Sequence, residues 1–255
     1  MQRFEGKTVI VTGGGGGIGS ATCQRLASEG AAVAVFDMNL QAAQKVAEGI
    51  GAVGGKAAAF ACDITQRDQV DAAVAATQAQ LGPVAALVNN AGWDIFKPFV
   101  KTQPSEWERL IAINLTGALH MLHAVLPGMV ERGYGRIVNV ASDAARGGSS
   151  GEAVYSACKG GLVALSKTLA REHARHNITV NAVCPGPTDT ALLAGVAEGA
   201  RDPAKLIEAF KSAIPMGRLG QGSDLAAAIA FFCSDDAGFV TGQVLSISGG
   251  LTMHG

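Results

Sequence analysis

Short apolar runs alternate along the chain with longer segments in which apolar residues recur at helical spacing. The early runs are apolar throughout and do not alternate with polar residues, as is typical of parallel strands that helices cover on both faces. The pattern therefore predicts strands and helices in regular succession. The predicted strands are residues 8–12, 32–37, 57–62, 85–88, 136–141, 179–184 and 244–247, and the predicted helices are residues 17–29, 40–49, 67–80, 105–132, 152–176 and 223–234.

A repeated strand–helix order is typical of a doubly wound sheet with right-handed crossovers. We therefore expect an α/β protein with a seven-stranded parallel sheet flanked by helices, the Rossmann fold. No linker rich in proline or serine and no long repeat divides the sequence, so residues 1–255 are predicted to form a single domain. The long stretch at about 188–215 follows the sixth predicted strand. It is interpreted as a substrate lid, and a pair of packing helices is the alternative.

Composition narrows the class of protein. Hydrophobic residues make up 48% of the chain and charged residues 16%, which excludes a disordered protein. A net charge of -1 gives no general attraction to nucleic acid or to an anionic membrane, and we expect no apolar run of membrane-spanning length. The five cysteines are scattered, odd in number and never spaced as CxxC, so we expect reduced thiols in a cytoplasmic protein.

A glycine run lies between the first predicted strand and the first predicted helix. Glycine permits positive φ, and a backbone without Cβ lets a phosphate reach a helix N-terminus. The run fits two registers equally well, Gly14-x-Gly16-x-x-Gly19 and Gly13-x-x-x-Gly17-x-Gly19. In either register, its place between strand and helix predicts a dinucleotide site.

Asp37 ends the second predicted strand, about twenty residues after the glycine turn. An acid at this place accepts hydrogen bonds from the adenosine ribose hydroxyls and repels a 2′-phosphate. No arginine or lysine lies in the glycine loop, and Met38 follows the acid. We therefore expect NAD rather than NADP as the cofactor. The alternative role of Asp37 is to cap the next helix.

Two further strand ends carry candidate cofactor contacts. Asp63 and Ile64 close the third predicted strand, where Asp63 could meet the adenine edge or simply start a helix. Asn90, Ala91 and Gly92 follow the fourth predicted strand. Small and amide residues at this place suit a backbone that lies against the cofactor, although ordinary turn chemistry gives the same pattern.

Three polar residues in the second half of the chain form a candidate catalytic set. Tyr155 and Lys159 are four residues apart, so they share a face of the predicted helix. A lysine beside a phenol stabilises the phenolate and lowers the tyrosine pKa, which makes the phenol a base for an alcohol or an acid for a carbonyl. Ser142, after the fifth predicted strand, can hydrogen-bond the same substrate oxygen.

With these residues in view, the chain resembles the short-chain dehydrogenase/reductase family nearly from end to end. The resemblance rests on the glycine turn at 12–19, on residues 89–92, on Asn114, Ser142, Tyr155 and Lys159, and on the segments 185–186 and 241–244. It implies the second glycine register. It also implies that the cofactor contacts are Gly13, Gly17, Ile18, Gly19, Asp37, Asp63, Ile64, Asn90, Ala91, Gly92, Tyr155, Lys159, Pro185, Gly186 and Thr188.

The resemblance also implies the catalytic roles. Tyr155 is expected to be the acid/base, and Ser142 to orient the substrate oxygen. Lys159 is expected to bind the nicotinamide ribose and to lower the Tyr155 pKa. Asn114 would hold a water of the proton relay, and Thr188 would grip the carboxamide. The implied reaction is the oxidation of a secondary alcohol to a ketone, with hydride passing to NAD.

Three stretches, 91–99, 142–146 and 185–193, are similar to family members that oxidise the ring hydroxyl of an alicyclic hydroxyacyl-CoA in aromatic acid degradation. This predicts an apolar ring pocket and cations that meet the CoA phosphates; a solvated face is the alternative for the cations. The predicted substrate contacts are Ser142 and, for the ring pocket, Trp93, Leu192, Leu193 and Phe210. A place in the core is the alternative for Trp93. The predicted CoA contacts are Arg146, Arg201, Lys205 and Lys211.

Other functions would use the same catalytic residues and cofactor site. A 3-oxoacyl reductase acting on an acyl-carrier-protein or CoA thioester would use the same groups, but that class usually favours NADP, which counts against it because of Asp37. A polyol or sugar dehydrogenase is a further alternative. A nucleotide-binding sensor without turnover is disfavoured by the intact set of Ser142, Tyr155 and Lys159.

Two pairs of histidines are candidates for metal binding. The pairs His120/His123 and His173/His176 have helical spacing, but no familiar set of acidic or cysteine ligands accompanies them, so no metal is expected.

The family usually forms homotetramers through its two long helices and last strand. The apolar stripe of Leu115, Leu119, Leu122 and Leu126 is consistent with such an interface, and an intramolecular core role is the alternative.

Overall fold

A computed structural model describes residues 2–198 and 202–253. Within these ranges, seven strands form one sheet in the order β3-β2-β1-β4-β5-β6-β7, and every neighbouring pair is parallel. The strands are β1 (Thr8–Thr12), β2 (Ala32–Asp37), β3 (Lys56–Ala61), β4 (Val84–Asn89), β5 (Gly135–Val140), β6 (Ile178–Pro185) and β7 (Val244–Ile247). The predicted doubly wound parallel sheet is confirmed.

Helices cover both faces of the sheet. They are α1 (Gly17–Ser28), α2 (Leu40–Ala52), α3 (Arg67–Leu81), α4 (Pro104–Ile111), α5 (Gly117–Arg132), α6 (Ala144–Gly147), α7 (Ala153–His173), α8 (Ala191–Glu198), α9 (Pro203–Ala213) and α10 (Gly222–Cys233). Short 3₁₀ turns lie at Phe99–Lys101, Ala174–His176 and Asp235–Ala237. The helices α8 and α9 lie in the stretch interpreted as a lid.

The strands contribute side chains to two separate hydrophobic cores, because successive side chains of a strand point to opposite faces of the sheet. On β1, Val9 and Val11 pack into the cluster that includes Leu26 of α1 and Leu225 of α10. Ile10, between them, packs into a second cluster with residues of α3 and α5. Burial on both faces is the reason why these strands read as unbroken apolar runs.

The strand order indicates where a ligand would bind. The chain winds outward from β1 to β3 and then returns to β4, which pairs with β1 on its other side. The carboxyl ends of β1 and β4 are therefore neighbours at the point where the winding direction reverses. Ligands of open α/β sheets bind in the crevice at such a point.

The long helix predicted at 105–132 is interrupted. A π-helical turn, Ala112–Thr116, separates α4 from α5. Asn114, at its centre, is buried, and its side-chain amide donates to the carbonyl of Leu110 at 3.0 Å. A side chain that bonds the preceding turn competes with the regular backbone ladder, and π turns of this kind are frequent at functional sites.

The segment Pro104–Arg132 corrects one expectation. In the part of the chain that the structure describes, it is the one helical segment long and apolar enough to cross a membrane. Met121, Leu122 and Val125 on this segment pack into the core beneath the sheet. Packing into the core therefore explains part of the apolar character of the segment, while Ile111 and Leu119 on the same segment stay exposed.

Candidate active site

A cleft of about 990 Å³ opens at the carboxyl edge of the sheet. Its walls include the glycine turn, the end of β2, the start of α7 and parts of α8 and α9. Most of the predicted site residues line it, namely Gly13, Gly17, Ile18, Asp37, Asp63, Ile64, Asn90, Ala91, Gly92, Trp93, Ser142, Tyr155, Lys159, Pro185, Gly186, Thr188, Leu192 and Phe210. The fold thus brings residues from distant parts of the sequence to one cavity.

The glycine turn uses the second of the two registers. Gly13 and Gly17 have φ of 61° and 52°, which favours glycine at both positions. Gly19 is buried beneath the turn, where a Cβ would overlap the carbonyl oxygen of Gly13. A Cβ on Gly13 itself would lie 2.9 Å from Cα of Ala91. The backbone is therefore free of side chains where α1 begins.

The ends of β1 and β4 are tied together through Thr12. Its hydroxyl oxygen accepts the backbone N–H groups of Asn90 and Ala91, each at 3.0 Å. The side-chain amide of Asn90 donates back to the carbonyl oxygens of Thr12 and Gly13, at 2.9 and 3.2 Å. Because these bonds are mutual, the glycine turn and the segment after β4 are held as one rigid floor.

The two candidate adenosine contacts are both held by backbone bonds. Asp37 accepts the N–H of Gly15 at 3.0 Å through Oδ2 and the N–H of Asn39 at 2.9 Å through Oδ1. Asp63 accepts the N–H of Thr65 at 2.9 Å and its hydroxyl at 2.8 Å. Asp63 therefore shapes the turn before α3, as one of its two expected roles required, and it also faces the cleft.

Tyr155, Lys159 and Ser142 lie side by side. Tyr155 and Lys159 are both buried on α7, and the Lys159 Nζ atom is 5.6 Å from the centroid of the Tyr155 ring. Lys159 Nζ donates to the carbonyl oxygen of Val140 at 2.9 Å, which anchors it to β5. Ser142 lines the same cleft and is near enough to the Tyr155 phenol to lower its pKa. The candidate acid/base thus lies beside a hydroxyl and an ammonium.

Burial controls the protonation of this cluster. Burial raises the pKa of Tyr155, and the charges of Asp94 and Glu152 raise it further, while nearby Ser142 lowers it. Burial also lowers the pKa of Lys159 to about 8. The expected lowering of the Tyr155 pKa is therefore not what the structure shows, because burial and two nearby carboxyls outweigh the effect of Ser142.

The residues present fit a dinucleotide. The bare backbone at the start of α1 can accept a pyrophosphate, since N–H groups and the positive end of the helix dipole meet there. An acid stands at the end of β2, where a ribose would lie. A proton donor or acceptor and a buried cation lie in the same cleft.

The comparison with protein families agrees with this geometry. The family model described as enoyl-(acyl carrier protein) reductase matches residues 13–252. The chain belongs to the short-chain dehydrogenase/reductase family. It is therefore an oxidoreductase that works with a nicotinamide cofactor on a small-molecule substrate.

Individual relatives match along almost the whole chain. A 3-oxoacyl-(acyl-carrier-protein) reductase of Thermotoga maritima is 38% identical over 99% of this chain and 100% of that protein. An acetoacetyl-CoA reductase of Allochromatium vinosum is 37% identical over 97% of this chain and 99% of that protein. The crystal structure of levodione reductase matches with a TM-score of 0.94 and 33% identity, covering 97% of this chain and 98% of the other.

Two predicted site residues lie behind the cleft wall in this dehydrogenase fold. Gly19 packs against the turn and supports it from below. Asn114 holds the backbone of Trp93, accepting its N–H at 3.2 Å and donating to its carbonyl at 2.7 Å. Its second N–H goes to Leu110, so both side-chain donors are committed to backbone. The structure thus makes the Asn114 side chain a positioning group for Trp93.

Of the predicted cations, the three that the structure describes lie outside the cleft lining. Arg146 lies against β7, where its guanidinium donates to the carbonyl of Val244 at 3.3 Å and to the Ser246 hydroxyl at 3.0 Å. The prediction that Arg146 contacts substrate is therefore corrected: its short helix α6 points it toward the last strand. Lys211 is paired with Glu208 at 2.7 Å, and Lys205 is exposed outside the cleft lining. Arg201 lies outside the described residues.

Sequence analysis missed several residues of the cleft, among them three charged ones. The Arg109 guanidinium stacks on the ring of Trp93, 3.9 Å from its centroid, and lines the cleft. Asp94 and Glu152 line it as well. The spacing of Glu152 and Tyr155, three residues apart at the start of α7, was a signal for the acid, whereas nothing local marks Arg109 or Asp94.

The histidines of the pair His120/His123 have other partners. His120 Nδ1 lies 3.0 Å from the carbonyl oxygen of Ile64, and His123 Nδ1 lies 3.0 Å from the guanidinium of Arg67. Among residues 2–198 and 202–253, no group of three or more His, Cys, Asp or Glu side chains is placed to hold a metal ion.

Proposed function

We propose that this chain oxidises the ring hydroxyl of 2-hydroxycyclohexane-1-carboxyl-CoA to 2-ketocyclohexane-1-carboxyl-CoA, with NAD as the hydride acceptor. The observation that carries the oxidoreductase part is the proximity of Ser142, Tyr155 and Lys159 in one cleft with the bare glycine turn. The reaction would serve the breakdown of alicyclic and aromatic acids.

Tyr155 would take the hydroxyl proton of the alcohol as a general base. Ser142 would hold the same substrate oxygen, so that the carbinol carbon keeps one orientation. Lys159, anchored on Val140, would bind the nicotinamide ribose and keep a positive charge near the phenol. The bound nicotinamide supplies the acceptor for the hydride. Excluding water from this cluster strengthens each of these electrostatic interactions.

Preference for NAD is supported by the surroundings of Asp37. Its carboxylate, pinned by Gly15 and Asn39, would accept the ribose hydroxyls and repel a 2′-phosphate. The next residue, Met38, is exposed and lines the cleft, so it offers a phosphate no charge. A steady-state comparison of kcat/KM for NAD and NADP tests the assignment. A higher value with NADP would overturn it.

Apolar side chains and one stacked arginine form a wall of the cleft around Trp93. Trp93, Leu192 and Phe210 supply a wall that suits a saturated ring. The helices α8 and α9, which carry Leu192 and Phe210, would act as the lid over this wall. Arg109, held on the Trp93 ring, would meet a phosphate of the acyl carrier.

Truncated substrates test the part that concerns CoA. Arg109→Ala should lower kcat/KM for the CoA thioester by about tenfold and leave the N-acetylcysteamine thioester of the same acid nearly unaffected, since only CoA carries phosphates. Arg171→Ala, an exposed arginine of α7 outside the cleft lining, is the matched control. Equal losses with both thioesters would remove Arg109 from CoA binding.

A 3-oxoacyl thioester reductase is the second candidate. Two of the relatives bear names of this kind, and the raised pKa of Tyr155 keeps the phenol protonated, which is the form that reduces a ketone. Both candidates place the reacting carbon in the same position relative to the thioester. Rates with acetoacetyl-CoA and 2-ketocyclohexane-1-carboxyl-CoA, each with NADH and NADPH, distinguish them.

A homotetramer is proposed from the exposed apolar residues on the long helices and last strand. Leu119 of α5, Ile111 of α4 and Leu245 of β7 are 41%, 43% and 43% exposed. The predicted stripe divides here, because Leu122 is buried in the core and Leu126 packs against it. Light scattering tests the assembly, and a mass equal to one chain would exclude it.

The buried, unpaired cysteines support placing the enzyme in the cytoplasm.

A further inference from the structure

Two carboxyl groups lie in the same cleft as the candidate catalytic residues. Asp94 and Glu152 both line the cavity that Ser142 and Tyr155 line, and Glu152 is near enough to raise the pKa of Asp94. Asp94 is only 8% exposed, and Glu152 is half-buried at the start of α7. The reaction scheme above uses neither of them.

A backbone hydrogen bond joins the two segments that carry these acids. The N–H of Lys97 donates to the carbonyl of Gly151 at 2.8 Å, which joins the segment after β4 to the turn before α7. Gly151 has φ of 88°, and a Cβ there would lie 3.2 Å from the ring of Phe96. The carboxylate of Asp94 is fixed in turn by the N–H of Ile95 at 2.7 Å. The pair is thus built into the wall.

Neighbouring carboxylates repel each other, and this repulsion favours the protonated form of a buried carboxyl such as that of Asp94. Burial raises the pKa of Asp94 to about 8, nearby Glu152 raises it too, and Lys159 acts in the opposite direction. At neutral pH Asp94 therefore keeps a proton. A protonated carboxyl donates a hydrogen bond, whereas a carboxylate only accepts.

We propose that Asp94 and Glu152 select acyl thioesters against free acids by hydrogen-bonding the neutral carbonyl of the substrate and repelling a carboxylate at the same place. This inference rests on the proposed function. In a 3-hydroxyacyl thioester one carbon separates the carbinol carbon from the carbonyl carbon. When the carbinol oxygen lies on Tyr155, the carbonyl must lie close by, and both acids are near enough for their charges to act on Tyr155.

The experiment compares the CoA thioester with free 2-hydroxycyclohexanecarboxylate. The wild-type enzyme should prefer the thioester in kcat/KM. The variant Asp94→Asn/Glu152→Gln keeps hydrogen-bond donors but carries no charge, so the ratio of the two kcat/KM values should fall by about tenfold or more, mainly through the KM of the free acid. Asp68→Asn/Glu48→Gln, two exposed acids, is the matched control.

A ratio that stays unchanged in the double amide variant overturns the inference. Should that variant fail to fold, a measurement on the wild type replaces it: the neutral 2-hydroxycyclohexanecarboxamide should inhibit at least about tenfold more tightly than the free carboxylate. Equal inhibition would also overturn the inference. Cyclohexanol oxidation by the wild type, followed alongside, reports on the oxidoreductase proposal independently of either result.

Discussion

The backbone N–H of Gly15 donates a hydrogen bond of 3.0 Å to Oδ2 of Asp37. This contact joins the glycine turn after β1 to the end of β2. A Cβ on Gly15 would lie 2.8 Å from that same oxygen, so only glycine permits the approach. The acid that would read the ribose is therefore positioned by the loop that would hold the pyrophosphate.

Replacing Asp37 should change the choice of cofactor. In Asp37→Asn the side chain has no charge and keeps one acceptor oxygen, enough for the N–H of Gly15 or of Asn39 but not for both. Discrimination against a 2′-phosphate should fall by about tenfold, with NAD turnover largely retained. Asp37→Ala should lose NAD affinity as well. The ratio of kcat/KM values for NAD and NADP is the readout, and a ratio insensitive to both changes would contradict the role of Asp37.

The support beneath the glycine turn should be sensitive to a single methyl group. Gly19→Ala would press a Cβ into the carbonyl of Gly13, so the free energy of unfolding should drop by about 1–3 kcal/mol or more. Gly49→Ala, in the interior of α2 with nothing within 4 Å of the new Cβ, should instead be neutral or stabilise by about 0.5–1 kcal/mol. Urea denaturation of the two variants checks this contrast.

Removing one phenol oxygen should stop the reaction without emptying the cofactor site. Tyr155→Phe should lower kcat by about 10²–10⁴ and still bind NADH, as followed by its fluorescence. The chain has two tyrosines, and Tyr134→Phe is the matched control because its hydroxyl donates to Asp235 outside the cleft. Near-native turnover by Tyr155→Phe would show that another group is the base.

The direction of the Tyr155 pKa shift predicts different pH profiles for the two directions of reaction. The pKa is raised, so the phenolate that an alcohol oxidation needs becomes scarcer and the phenol that a ketone reduction needs is plentiful. Oxidation should therefore speed up with rising pH across the range from 6 to about 9, while reduction should change little there because the phenol stays protonated. Parallel profiles in both directions would argue against Tyr155 as the titrating group.

The acid pair predicts how stability depends on pH. The pKa of Asp94 is raised to about 8, with Glu152, Tyr155 and Lys159 facing it, so the folded state holds a proton that the unfolded chain releases above pH 4. This contribution is present at low pH and is lost as pH rises toward 8, by up to about 1.4 kcal/mol per pH unit. In Asp94→Asn the decline between pH 5 and pH 8 should be smaller. Identical thermal melts of variant and wild type at both pH values would contradict it.

Sequence alone was sufficient for features that depend on neighbours along the chain. The succession of strands and helices, the glycine turn and the shared helix face of Tyr155 and Lys159 all follow from local periodicity. Where helices end was less accessible, because the break at Asn114 depends on a side chain that bonds Leu110 and Trp93.

Only the tertiary structure decided which distant side chains meet. Arg146 faces β7 and not the cleft, Arg109 stacks on Trp93, and Asp94 and Glu152 line one cavity. Each of these arrangements is fixed by the packing of segments far apart in sequence, and periodicity carries no record of that packing. The protonation states of the site residues were also decided by the tertiary structure. The pKa of a phenol or carboxyl depends on burial and nearby charge, which exist only once the chain has folded.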